Sequence, residues 1–196
     1  MGQEKMVPAV FLDRDGVINK DLGYFSDPKK LAIFRSSLEG LRALQEAGFM
    51  LIVVTNQSGI ARGLISEKDV QNLHYVMQNA FQKDGIFISG IIYCPHHPTE
   101  GINEYRMNCK CRKPSPGMIF QAAEKFNIDL NQSYLVGDRF SDIQAGINAG
   151  LKSSILLQSK HEVSLEEISK ASTFCQDLAE AASWIIGSNP TQNNEQ

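Results

Sequence analysis

Basic charge is not in excess in this 196-residue chain: 19 Lys and Arg stand against 22 Asp and Glu, a formal net charge of −3. No global positive field is available to a nucleic-acid backbone, so DNA and RNA are excluded as expected partners. Long hydrophobic runs are missing too. No stretch approaches the ~20 apolar residues of a membrane-spanning helix, and Met1 to Pro8 carries Glu4 and Lys5 without the apolar segment of a secretory signal. Met6 stands where N-myristoylation would need Ser or Thr. There is no internal repeat. The expectation is a cytoplasmic, monomeric protein with one domain over residues 1–187 and a disordered polar tail over 188–196. Cysteine is scarce, with four in all, yet three fall between positions 94 and 111. In a cytosolic protein that clustering favours metal over disulfide.

What is present begins with Asp13-Arg14-Asp15-Gly16, directly after the apolar run Ala9-Val10-Phe11-Leu12. A strand buried on both faces reads as such a run, and a carboxylate pair at its exit has little packing value because burying unpaired charge is costly. The pattern suggests phosphoryl transfer to Asp13. Phosphate monoester hydrolysis is among the slowest uncatalysed reactions, needing up to ~10^21-fold acceleration, and an aspartyl-phosphate intermediate splits it into two easier steps. Asp15 would protonate the leaving alkoxide and later deprotonate water. Two anions facing a phosphate require a divalent cation, and oxygen ligation points to Mg2+.

The remaining pattern alternates strands and helices. Leu38, Leu41 and Leu44 predict a helix ending near Gly48; Phe49 to Val54 is a buried strand discharging Thr55-Asn56-Gln57-Ser58-Gly59. Ser66 and Asp69 form a capping box that opens a helix through Phe81. Strands follow at Ile86 to Tyr93, Tyr134 to Val136 and Ser154 to Leu157. Helices follow at Pro116 to Phe126, Ser141 to Ala149, from Ser164, and from Asp177 to Ile186. The fold class is α/β, a doubly wound parallel sheet with its site along one edge. Trp184 and Cys175 are expected in the core, and His74 and His161 have no partner motif.

Four groups fall at strand exits or loop-helix junctions: Asp13/Asp15, Thr55/Asn56, Arg112/Lys113 and Gly137-Asp138. Thr55 can donate to a phosphoryl oxygen, Lys113 can neutralise developing charge, and Asp138 can hold Mg2+ with Asp13 and the Asp15 carbonyl. In this order the four resemble the motifs of the haloacid dehalogenase-like phosphatases, from about Val7 to Leu157. The resemblance implies a Rossmann-like fold. The first gap between motifs, Asp15 to Leu38, is too short for an added domain, and the second, Asn56 to Lys113, is filled by one helix, one strand and a cysteine-bearing loop, so the enzyme is expected to be capless.

Cys94-Pro95-His96-His97-Pro98 and Cys109-Lys110-Cys111-Arg112-Lys113-Pro114 lie between the second and third motifs. Residues two apart in extended backbone point the same way, so Cys94/His96 and Cys109/Cys111 each form a two-toothed grip. Together they are a Cys3His set for structural zinc with no open position. His97 is the rival fourth ligand. Because Cys111 lies two residues before Lys113, this loop is expected to position the cations.

Within the superfamily, Leu12 to Gly16, Gly23-Tyr24, Thr55 to Gly63 and the two cysteine segments resemble the bacterial phosphatases that act at C7 of D-glycero-D-manno-heptose 1,7-bisphosphate. The resemblance implies a sugar bisphosphate substrate lined by Arg14, Asp21, Leu22, Gly23, Tyr24, Asn56, Gln57, Ser58, Arg112 and Arg139. The family often has Lys at the position of Arg139 and a polar residue at that of Leu22. Histidinol-phosphate phosphatases share the motifs, typically with a zinc loop shorter than the 12 residues between His96 and Cys109. A receiver-type signalling domain also combines Asp, Thr and Lys. Asp15 argues against it, since an acid/base there promotes turnover of the phospho-aspartate.

Overall fold

The computed structural model describes residues 5–189. Its centre is a six-stranded, wholly parallel sheet built from β1 (Ala9–Leu12), β2 (Met50–Asn56), β3 (Ile88–Cys94), β4 (Tyr134–Gly137), β5 (Ser153–Leu157) and β6 (Thr173–Cys175), in the order β3-β2-β1-β4-β5-β6. The helices are α1 (Arg35–Glu46), α2 (Glu67–Lys83), α3 (Gly117–Phe126), α4 (Phe140–Ala149), α5 (Leu165–Lys170) and α6 (Leu178–Gly187).

The central strands β1, β2 and β4 are apolar runs because both faces are covered. Val10 and Leu12 of β1 pack with Leu41, Leu44, Met77, Phe81 and Leu178, from α1, α2 and α6. Ala9 and Phe11, pointing the other way, pack with Met118, Ile119, Ala122 and Ala145 of α3 and α4. The period-2 alternation of one strand thus feeds two cores. The expected capping box at Ser66 is present: Ser66 Oγ accepts from the Asp69 N–H, and the Asp69 carboxylate accepts from the Ser66 N–H at 2.9 Å.

Three differences from the sequence reading have local causes. β2 runs on through Thr55 and Asn56, because the sheet continues to pair there with Tyr93 and Cys94. α1 begins at Arg35, three residues before its first apolar position. β6 is an additional strand of three residues, too short and too mixed to register as a pattern, and it pairs with β5 through Ile155, Leu156 and Leu157. Cys175 is buried and Trp184 packs against the core, as expected. The tail is described only as far as Asn189, whose amide donates to the Tyr134 hydroxyl at 2.6 Å; residues 190–196 lie outside the described residues.

Strand order reverses between β1 and β4, the place where parallel α/β sheets open a crevice at their carboxyl ends. β1 discharges Asp13 there and β4 discharges Asp138.

Candidate functional site

A cavity of about 460 Å³ lies over the carboxyl ends of the strands, with Asp13, Thr55, Lys113 and Asp142 in its lining. The Lys113 ammonium is buried and sits 2.7 Å from Asp13 Oδ1, from Asp142 Oδ1 and from the Val54 carbonyl oxygen. Burial works against its charge, but the Asp13 and Asp142 carboxylates outweigh it and raise its pKa to about 12. Burial raises Asp13 to about 6, against the pull of Lys113. Asp138, 1% exposed, is pushed up to about 8 by burial and by the charges of Asp13 and Asp142.

Oxygens of Asp13, Asp138 and Asp142 all lie within 4.8 Å of one another. Their commitments differ. Asp142 uses one oxygen on Lys113 and the other on the Arg139 N–H at 3.0 Å. Asp138 Oδ1 is buried without a hydrogen-bond partner. A hard cation suits such an orphan oxygen, so Asp138 and Asp13 are the better ligands and Asp142 anchors the lysine. Gly16, at φ +87°, is the position that admits this: a Cβ there would overlap the Asp138 carboxylate, and a side chain would also be strained.

Asp15 is held by donors on both oxygens. Arg14 forks onto it with Nε at 3.2 Å and Nη2 at 2.7 Å, Asn19 Nδ2 donates at 2.9 Å, and Gln57 Nε2 at 3.0 Å. Gln57 also donates to Thr55 Oγ1 at 2.9 Å, which leaves the Thr55 hydroxyl proton available to an anion in the cavity. Asn56 accepts from the Lys113 N–H at 3.1 Å and donates to the Lys113 carbonyl at 3.2 Å.

These bonds change several expected roles. Arg14, expected at the substrate, is 3% exposed and turned away towards His74. Leu22 is 44% exposed and does not line the cavity. Asn56 and Gln57 line it, but their amides hold Lys113, Asp15 and Thr55. Asp21, Gly23, Tyr24, Ser58, Arg112 and Arg139 line it as expected, joined by Arg62 and Lys160. Asp142 and Lys160 escaped the sequence reading. For Asp142 a signal existed, an aspartate four residues after Asp138 in the first turn of a helix. His161, read as incidental, places Nε2 3.4 Å from Asp21 Oδ2.

Beside the cavity, Cys94, His96, Cys109 and Cys111 converge, their donor atoms within 4.8 Å of one another. The three Sγ to Sγ distances are 3.0, 3.2 and 3.5 Å, and His96 Nδ1 lies 3.3 Å from Cys111 Sγ. That is a compact four-donor polyhedron of the softness zinc selects. His97 stands apart from this cluster, its Nδ1 accepting from the Glu100 N–H at 2.9 Å. The loop reaches the cavity through Arg112, whose Nη1 donates to the His96 carbonyl at 3.2 Å.

A HAD-hydrolase-like family model matches residues 110–181. A D-glycero-beta-D-manno-heptose-1,7-bisphosphate 7-phosphatase of Yersinia pestis is 40% identical over 182 residues, covering 93% of this chain and 91% of that protein. Its counterpart in Pasteurella multocida is also 40% identical, covering 93% of this chain and 98% of that protein. Among solved structures, D,D-heptose 1.7-bisphosphate phosphatase from B. bronchiseptica, complexed with magnesium and phosphate, is 31% identical. It superposes with a TM-score of 0.77 over 92% of this chain and 99% of its own.

Two expectations follow from the buried charges. Lys113→Met leaves Asp13 and Asp142 facing each other without a cation, and breaking a buried ion pair costs about 3–5 kcal/mol; urea denaturation at neutral pH should register a loss of that size. Secondly, folded-state values raised to about 6 for Asp13 and about 8 for Asp138 contribute stability that is full below the ordinary carboxylate range. That stability is lost as pH rises through those values. Metal-free protein should therefore melt lower as pH climbs from 5 to 8, and added Mg2+ should raise the melting temperature more at pH 8 than at pH 5. Equal stabilisation at both pH values would refute the assignment of these carboxylates to the cation.

Proposed function

Since this chain belongs to the D-glycero-beta-D-manno-heptose-1,7-bisphosphate 7-phosphatase family, a branch of the haloacid dehalogenase-like hydrolases, we infer that it removes the C7 phosphate of that sugar bisphosphate. The observation that carries the reading is the Asp13–Lys113 pair on the floor of a cavity rimmed by Arg62, Arg112, Arg139 and Lys160. The product belongs to the making of nucleotide-activated heptose for lipopolysaccharide or surface glycans.

With one Asp13 oxygen on Lys113, the other attacks phosphorus. As the Asp13–phosphorus bond forms and the bond to the C7 oxygen breaks, Asp15 gives its proton to the departing alkoxide. In the second half, the Asp15 carboxylate takes a proton from the water that attacks phosphorus and restores Asp13. Thr55 donates to a phosphoryl oxygen, and Lys113 balances charge on nucleophile and phosphate. Asp13, Asp138 and the Asp15 carbonyl are the groups that would hold Mg2+, which when bound supplies further charge neutralisation.

The second phosphate needs cations of its own. Arg112 uses Nη1 on the zinc loop, leaving the rest of its fork for an anion, and Arg139 is half exposed at the rim. Among the described residues no helix is long and apolar enough to cross a membrane. Four unpaired cysteines, three of them clustered with His96, suit a reducing compartment, so we place the enzyme in the cytoplasm; we take it to be a single-domain monomer.

Turnover of the heptose bisphosphate should exceed that of histidinol phosphate and fructose 1,6-bisphosphate. Binding energy from a remote phosphate can be used at the reacting centre, so Arg112→Ala should cut kcat/KM for the bisphosphate by about tenfold or more while sparing the C7 monophosphate. Equal loss on both sugars would remove Arg112 from anomeric-phosphate recognition, and a preference for histidinol phosphate would remove the heptose assignment.

For the second metal, elemental analysis after Mg2+ exchange should find about one zinc per chain. Cys109→Ala should lose that zinc, and stability and kcat should fall together because the loop carries Arg112 and Lys113. A variant that keeps zinc and normal turnover would contradict both the ligand set and its link to the lysine.

A further inference from the structure

We propose that His74, which belongs to none of the catalytic motifs, is a positioning residue for the proton-transferring carboxylate Asp15 and acts through Arg14. The inference rests on the phosphatase reading above. α2 buries five residues, Val70, Leu73, His74, Met77 and Phe81, and His74 is the polar one. Its Nε2 lies 3.1 Å from Arg14 Nη1. A guanidinium only donates, so Nε2 is the acceptor and the ring proton sits on Nδ1. Burial, and then the charge of Arg14, lower the His74 pKa to about 3, so the ring stays neutral at working pH. The Tyr93 ring, edge-on at a centroid distance of 5.6 Å, flanks it.

The geometry has a direction. Asp13 and Asp15 line the cavity, whereas Arg14 points from the same segment into the protein and is 3% exposed. Three donor groups converge on Asp15. Asn19 is secured by the Lys20 carbonyl at 3.0 Å and Gln57 by Thr55 at 2.9 Å, both beside the carboxyl ends of β1 and β2. Arg14 is secured by a helix that contributes no group to the cavity. With Nη1 on His74, Nε and Nη2 face Asp15 together and the fork holds the carboxylate in one rotamer. Without that acceptor, the buried Nη1 seeks another partner and the fork turns, because leaving a charged donor unpaired is costly.

Proton transfer by a positioned side chain contributes ~10²–10⁴-fold, and its importance depends on the leaving group. An alkoxide needs the proton from Asp15, whereas p-nitrophenolate departs without one. The experiment compares kcat/KM for the heptose bisphosphate and for p-nitrophenyl phosphate in the Mg2+-loaded, zinc-replete enzyme, its His74→Leu and His74→Gln variants, and Arg14→Lys. The Leu variant should lose about tenfold more on the sugar phosphate than on the nitrophenyl ester. The Gln variant, whose amide oxygen accepts, should recover most of that difference. Arg14→Lys, which keeps charge but loses the fork, should reproduce the split, so the comparison stands even if His74→Leu does not fold.

Equal losses on the two esters would overturn the proposal and reduce His74 to a packing residue, as would unchanged rates. A native enzyme that cleaves the nitrophenyl ester but not the bisphosphate would overturn only the heptose assignment, and fructose 1,6-bisphosphate then serves as the alkyl ester. A native enzyme that cleaves neither would overturn the phosphatase reading and the positioning proposal together.

Discussion

One buried ammonium lets two carboxylates share the floor of this cavity, with a third buried beside them. Charge taken out of water must be paired and hydrogen-bonded, and Lys113 meets that condition for Asp13 and Asp142 with a 2.7 Å contact to each. Asp138 lies within the same cluster with Arg139 Nε no nearer than 4.0 Å, and its Oδ1 accepts no hydrogen bond. Its carboxyl, raised to about 8, marks where positive charge is still owed. A divalent cation would answer that deficit, and a phosphate arriving with it would add negative charge that the lysine and the rim arginines can absorb. The lysine's position therefore governs nucleophile, cation and substrate alike.

Two further devices hold that lysine in place. Asn56, at the end of β2, brackets the Lys113 backbone with two hydrogen bonds. The cysteine loop fixes the chain just before it, Cys111 being two residues upstream and Arg112 reaching back to the His96 carbonyl. A metal closed by four protein ligands cannot take part in the chemistry, but it can order a long connection that contains little regular structure. Bound here, it would substitute for the packing that a helix or strand would provide.

The sequence made the strand exits legible because buried parallel strands are short apolar runs, and because Asp13, Thr55 and Asp138 interrupt them with groups that packing does not need. The convergence of Cys94, His96, Cys109 and Cys111 was legible from spacing alone. What escaped was whatever required knowing which way a side chain turns. Asn56 and Gln57 read as polar groups bound for substrate, and the structure spends them on Lys113, Asp15 and Thr55. Asp142 hides in the first turn of α4, where an acidic residue is ordinary helix chemistry. Lys160 and His161 follow β5 by a few residues, and nothing local shows that they arrive at Asp21. β6, with three residues, offers no period to detect.

The same alternation that gives the sheet two cores also divides the labour just beyond β1. Val10 and Leu12 enter one apolar layer, Ala9 and Phe11 the other. Past the end of the strand, the segment still sends Asp13 and Asp15 to the cavity and Arg14 into the protein. Two carboxylates spaced by one residue are therefore separated by the group that can restrain the second of them. Asp13 receives its cation from a distant loop, through Lys113, and Asp15 from its own neighbour. A nucleophile must lie against the charge that faces the phosphate, whereas a proton carrier must be held in one rotamer beside the leaving group. The Asp-Arg-Asp order meets both demands within three residues.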